Sequence, residues 1–131
     1  MPDSADIVGT EPPSLVSLSY LSTPMVTFSD RHLSDLLLAA RQWNARHRVT
    51  SKLIVLEDGD RIVRFAQWIE GAALEIEASA GRILSAPRYG DFEIRHRGPI
   101  EARRFPGWDV AIHQTDALTF DDQASVLTVH A

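Results

Sequence analysis

Residues 52–71 read KLIVLEDGDRIVRFAQWIEG, and this stretch decides the fold. Two runs rich in β-branched and aromatic residues flank Asp58-Gly59, a pair suited to the positive-φ positions of a tight hairpin turn. In the second run Val63, Phe65, Gln67 and Ile69 share one face by the two-residue period of a strand. Gln67 is then a lone amide on an apolar surface, where a polar group belongs only if something satisfies it.

The segment upstream of the hairpin predicts a helix. Ser29 is a good N-cap, Asp30 suits the positive end of the helix dipole, and Phe28 is placed to staple onto Leu33. Leu33, Leu36, Leu37, Ala40 and Trp43 then recur at helical spacing. At about 100° per residue, Asn44 falls within about 20° of both Leu33 and Leu37, a second amide inside an apolar stripe. Before this helix, SLVSLSYLS reads as a strand with Val16, Leu18 and Tyr20 on one face.

Downstream, Ala73, Ile76, Ala80, Ile83 and Leu84 form the stripe of a second helix over about residues 72–85, which Gly81 weakens and Pro87 ends. Further strands are expected near Phe92–His96 and Arg104–Ile112, and residues 124–130 read as a short strand or a frayed end. The order βαββαββ predicts an α+β, ferredoxin-like sheet with both helices on one face. Residues 1–14, with three prolines and several small polar residues, read as a disordered leader, 15–113 as the folded domain and 114–131 as a short C-terminal extension.

A length of 131 residues suits one domain. The net charge is −5, and both ends are acidic, which leaves the body between them near neutral. Such a body lacks the basic field of a nucleic-acid module. No apolar run spans a bilayer and no basic-then-apolar leader precedes the first strand, so the expectation is a cytoplasmic chain without a membrane partner. There is no cysteine, hence no disulfide, no thiolate nucleophile and no Cys-ligated metal. The five histidines are scattered without ligand spacing, and no metal site is expected. No Gly-rich loop joins a strand to a helix, and no nucleophile elbow appears. The Arg41–Arg48 and Arg95–Arg104 segments read as solvated charged faces.

Three polar side chains from different elements therefore point into what should be core: Tyr20, Asn44 and Gln67. Each alone reads as a core residue satisfied by backbone or buried water. Together they offer donors and acceptors for the edge of a flat heterocycle held beside two helices.

The sequence at this point resembles the BLUF domains, which sense blue light using FAD. The resemblance covers residues 15–113. It is carried by SLSYLS with Tyr20 and Ser22, Asn44 followed by Val49-Thr50, and FAQWIEG with Gln67, Glu70 and Gly71. Arg82-Ile83 with Arg88 downstream, and RRFPGW with Trp108, complete the ordered set. The resemblance implies a flavin between the two helices, with Asn44 and Arg82 on its pyrimidine edge and Gln67 bridging the ring and Tyr20. Ser22 and Trp43 would also contact the flavin, which is FAD in the family, with FMN and riboflavin left open. Tyr20 and Gln67 would form the photochemical switch, Trp108 and Val110 would carry the output to an unknown protein partner, and no enzymatic activity is implied. No covalent bond is made, in keeping with the absence of cysteine.

The sequence departs from the family pattern at several places. Ser51 stands for a glycine, Ala86 for an acidic residue, Arg88-Tyr89 for an Arg-His pair, Val110 for a methionine, and Trp43 for Asn or His. The hairpin is about five residues longer than the family's, by alignment of the motifs. A second reading is a degenerate domain of the same fold that binds no flavin and serves protein interaction, with Trp43 filling the slot. In that reading Gln67→Leu should cost little stability. A third, an acylphosphatase-type hydrolase with Arg82 and Asn44 on an anion, lacks a phosphate-cradling loop. Finally, Ile62, Ala66 and Trp68 are expected to form an exposed apolar second face, and hence a homo-oligomer or partner contact.

Overall fold

The computed structural model describes residues 14–59 and 61–105 in full and the backbone of 108–113. The expected leader and C-terminal extension lie outside the described residues, apart from Ser14. The elements are β1 (Leu15–Pro24), α1 (Asp30–His47), β2 (Thr50–Asp58), β3 (Arg61–Ala72), α2 (Ala73–Leu84), β4 (Tyr89–Ile100) and β5 (Trp108–His113). They form one sheet in the order β4-β1-β3-β2-β5, antiparallel except where β5 runs parallel to β2.

Both helices lie on one face. Ile76 and Ala80 of α2 pack with Leu18, Tyr20 and Ile69, while Leu36 and Leu37 of α1 pack around Phe28, Leu53, Val55 and Phe65. The Ser29 side chain caps α1 by accepting the His32 N–H at 3.2 Å. Phe28 packs edge-to-face on Phe65, at 5.6 Å between ring centroids, and sits in the core. A tight turn is present but starts one residue later than expected: Asp58 ends β2 opposite Arg61, and Gly59 takes φ +66°, where a side chain is strained. Gly71 has a different role, since a Cβ there would lie 3.2 Å from the Arg48 carbonyl oxygen.

β4 is longer than the sequence suggests and includes Gly98 and Pro99. Proline is tolerated there because β4 is an edge strand. β5 is shorter, since residues 101–105 form a loop that folds back onto the sheet.

One correction concerns the hairpin. Leu56 pairs with Arg64 but Glu57 pairs with Ile62, so Val63 is an extra, bulged residue. A bulge shifts the alternation by one. Ile62 therefore joins the helix-side cluster, and Val63 packs with Leu21, Ile54, Leu56, Ala66 and Trp68 on the opposite face. The exposed second face is corrected too. Ala66 and Trp68 are fully buried within the single chain, and with that burial the reason given for a homo-oligomer falls away.

Part of that cover is the returning loop. Arg104 lies 4.4 Å over the Trp68 ring, Phe105 meets its edge, and His96 stacks on it from β4. The loop is held by Glu70, which is completely buried. Its Oε1 accepts the Trp68 indole N–H at 2.8 Å and the Arg104 backbone N–H at 2.7 Å. Its Oε2 accepts the Thr50 hydroxyl at 2.7 Å and the Phe105 backbone N–H at 2.8 Å. Arg103 adds bonds to Thr50 Oγ1 and to the carbonyls of Glu70 and Arg48.

Candidate functional site

Tyr20 and Gln67 sit opposite each other in the β1–β3 register, so both side chains rise from the same face. The Tyr20 hydroxyl donates to Gln67 Oε1. With its acceptor committed to the phenol, the amide keeps its N–H donors for the space above. That space is an open cleft between the sheet, α1 and α2, bounded by Tyr20, Ser22, Trp43, Asn44, Gln67 and Arg82 among others. All six residues expected at the site are thus brought together around one cleft.

α1 explains why the cleft exists. Its stripe residues Leu36, Leu37, Ala40 and Trp43 are only half-buried, because they line the cleft instead of seating on the strands. Asn44, in contrast, is buried. Its side-chain N–H donates to Ser51 Oγ at 2.9 Å, and its backbone carbonyl accepts the N–H groups of Arg48 and Val49 at the helix end. Ser51, the residue in the glycine position, therefore orients the Asn44 amide.

Trp43 bridges the helices. Its indole N–H donates to Ser79 Oγ at 2.9 Å, and Ser79 in turn donates to the Glu75 carbonyl at 2.8 Å. The Arg82 guanidinium lies 4.6 Å from the Trp43 ring centroid, a cation–π contact. Behind it, His47 stacks on Trp43 at 4.0 Å and meets Glu75 Oε2 at 2.6 Å. Arg82 faces an aromatic ring here, and Ala86 beside it offers no carboxylate.

Ser79, Arg88 and Tyr89 also line the cleft and were not singled out as site residues. Ser79 carried a readable signal, a polar side chain in the apolar stripe of α2, the same signature that marked Asn44. Tyr89 did not, since its place depends on packing against Phe28 and Phe65, far away in sequence.

The electrostatics favour a neutral, proton-bearing phenol. Burial pushes the Tyr20 hydroxyl far above the ordinary range, and the neighbouring Tyr89 pushes the same way. Tyr89 is also raised by burial, opposed by Arg88 and Arg82. Because the folded value is the raised one, the contribution of Tyr20 to stability is complete below the unfolded phenol's pKa, about 10. It is lost as pH rises above that value, since the unfolded phenol ionises and the buried one does not. Urea midpoints measured from about pH 8 to 11 should fall at the alkaline end, and less steeply in Tyr20→Phe. Parallel curves for the two proteins would contradict this.

Trp108 and Val110 lie in β5, where their backbones pair with Ser51 and Leu53; their side chains lie outside the described residues. Val110, Leu53, Gln67 and Tyr20 occupy one cross-strand row. Among the described residues no cluster of three or more metal-ligating side chains occurs, and no helix is long and apolar enough to cross a membrane.

Comparison with known proteins agrees with this geometry. The chain is similar to BlrB, a BLUF protein in its dark state, at 28% identity and a TM-score of 0.69, over 86% of this chain and 83% of that one. It shares its fold with a bacterial light-regulated adenylyl cyclase, at 20% identity and a TM-score of 0.67, over 86% of this chain and 32% of that one. Klebsiella pneumoniae BlrP1, in a calcium and cy-diGMP complex, shares the fold at 22% identity and a TM-score of 0.62, over 89% of this chain and 29% of that one. No curated protein matches the chain. The family model for sensors of blue light using FAD matches residues 15–111, the span that builds the sheet, both helices and the Tyr20–Gln67 pair, and the chain belongs to this BLUF family.

Proposed function

We propose that this chain is a blue-light receptor that holds a flavin non-covalently in the cleft between α1, α2 and the sheet. The observation that carries the reading is the Tyr20–Gln67 hydrogen bond, buried in the wall of a cleft ringed by further amide, indole and guanidinium groups. The cleft suits such a ligand. Its walls are largely apolar, and its polar groups converge from β1, α1, β3 and α2. Asn44, oriented by Ser51, and Arg82 would hold the polar edge of the ring, with Trp43 and Ser22 completing its surround.

A bound flavin would supply the absorption of blue light and, once excited, an oxidising centre. The chain contributes the rest. Tyr20 is a reducing phenol whose proton already points along a hydrogen bond to Gln67 Oε1. Gln67 hydrogen-bonds this phenol and also borders the cleft, so a rearrangement of its amide would change which atoms face the ring. A changed hydrogen bond to a bound ring would move its absorption to longer wavelength. The row Tyr20–Gln67–Leu53–Val110 gives that rearrangement a direct route to the edge strand β5. There a protein partner would read it, with no catalytic step in the domain itself. A cytoplasmic setting, and no nucleic acid or membrane as partner, belong to the same proposal.

A second reading is favoured by one specific observation, the Trp43–Ser79 bridge with Arg82 stacked upon it. It is a flavin-free interaction module whose helices are latched by an indole. An absorption spectrum of the purified protein in the dark and under blue light separates the two, with FAD added during refolding if the protein is colourless. The proposal expects a flavin band that shifts reversibly to longer wavelength. A folded protein that takes up no flavin would leave the second reading standing.

A further inference from the structure

The helix that carries Asn44 ends in a turn pinned by a side chain 55 residues downstream. Arg48 closes α1 in the left-handed region, at φ 55° and ψ 41°, which a residue with a Cβ adopts only at a cost. Its carbonyl accepts a hydrogen bond from Arg103 Nη2 at 3.0 Å. Arg103 Nη1 donates at 2.9 Å to the hydroxyl of Thr50, the first residue of β2, and at 3.3 Å to the carbonyl of Glu70 in β3. One guanidinium thus ties the turn, the strand after it and the neighbouring strand together.

We propose that Arg103 is a positioning residue for Asn44. Asn44 belongs to α1 and its partner Ser51 to β2, so the turn at Arg48 and Val49 decides whether the two meet at 2.9 Å. The same turn hangs on the Asn44 backbone carbonyl, which accepts the N–H groups of both Arg48 and Val49. Gly71 closes it from another side, leaving little room for a Cβ beside the Arg48 carbonyl. A residue in an unfavourable conformation stays there only while its surroundings hold it, and Arg103 supplies the hold on that carbonyl. A planar fork suits the task, because it reaches acceptors on separate elements at fixed angles, which a compact ammonium does not. Without the fork Arg48 can leave the left-handed region, and Asn44 then draws away from Ser51. The consequence for a bound ring rests on the flavin reading of the cleft; the consequence for Asn44 does not.

The test reads the side-chain amide of Asn44 in the full chain by proton–nitrogen NMR, before flavin is added. Arg103→Met should move that signal and speed its exchange with solvent about tenfold, as Ser51→Ala should, since each frees the amide from one hydrogen bond. Arg103→Lys should resemble Arg103→Met. Arg104→Gln, which removes the same charge from the same loop, should leave the signal in place. Glu70 keeps its own four donors in the Arg103 variants, so the loop and the fold should survive. Adding Arg48→Gly to Arg103→Met should restore the signal, because glycine takes the left-handed conformation unaided. FAD should bind about tenfold more weakly to Arg103→Met than to the unaltered chain, and regain most of that with Arg48→Gly. An Asn44 signal that stays put in Arg103→Met, or FAD binding undiminished in that variant, overturns the assignment. If the signals behave as expected and the unaltered chain takes no flavin, Arg103 keeps its role and the flavin reading falls.

Discussion

Gln67→Leu is expected to bind flavin and to show no light-driven shift of its absorption. Leucine keeps much of the bulk of glutamine but offers no acceptor to Tyr20 and no donor to the cleft, while Asn44, Ser51 and Arg82 are untouched. The ring would still be held, and the group that can rearrange would be gone. The substitution also orphans a buried phenol, because among the described residues the Tyr20 hydroxyl bonds to Gln67 Oε1 alone. An unsatisfied buried donor costs about 1–3 kcal/mol, so the urea midpoint should drop whether or not flavin is bound. The structure therefore revises the expectation that a flavin-free module would tolerate Gln67→Leu at little cost. Removing both polar partners, as in Tyr20→Phe with Gln67→Leu, should recover most of the loss, since two apolar groups leave nothing unpaired. A persistent red shift in Gln67→Leu would defeat the switch as proposed.

Glu70→Ala should be the most destabilising single change among the residues described. It leaves the Thr50 hydroxyl, the Trp68 indole N–H and the backbone N–H groups of Arg104 and Phe105 without their acceptor. It also opens a cavity beside the fully buried Trp68. A loss of about 3–5 kcal/mol is expected, a large part of a small domain's total stability. Glu70→Gln should cost less, about 1–3 kcal/mol, because one end of the amide still accepts while the other turns an N–H₂ toward donors. Equilibrium unfolding in urea reads both, and native-state hydrogen exchange should show the Arg104 and Phe105 amides losing protection first. A change below about 1 kcal/mol in Glu70→Ala would mean that the loop is held by Arg103 and packing instead.

Much of the fold was legible because its signals are local. Ser29, the hairpin turn and the stripes of both helices depend on neighbours within a few residues, and the structure has them within one residue of where the spacing puts them. Asn44 and Gln67 were legible for a related reason: each is polar at a position whose period demands an apolar residue. What stayed hidden depends on contacts distant in sequence. The bulge at Val63 is a property of how two strands pair, so the period alone put Val63 and Ile62 on the wrong faces. The four donors of Glu70 come from β2, β3 and a loop more than 30 residues downstream. Trp43 was visible as a departure from the family pattern, but its partners Ser79 and Arg82 follow from how the helices sit side by side.

The bulged Val63 also bears on how this hairpin can change in length. Antiparallel strands lengthen by cross-strand pairs, two residues at a time, so an odd excess needs one residue that pairs with nothing. Val63 is such a residue, and it lies between the turn and the site. Beyond it the tip has its own inside and outside, whereas Gln67 and Phe65 keep theirs. The tip at Asp58-Gly59 is accordingly a suitable place to splice in a foreign segment, such as an epitope or a second sensor. A graft there would alter the outline of the molecule while the phase of the strand carrying Gln67 stayed fixed.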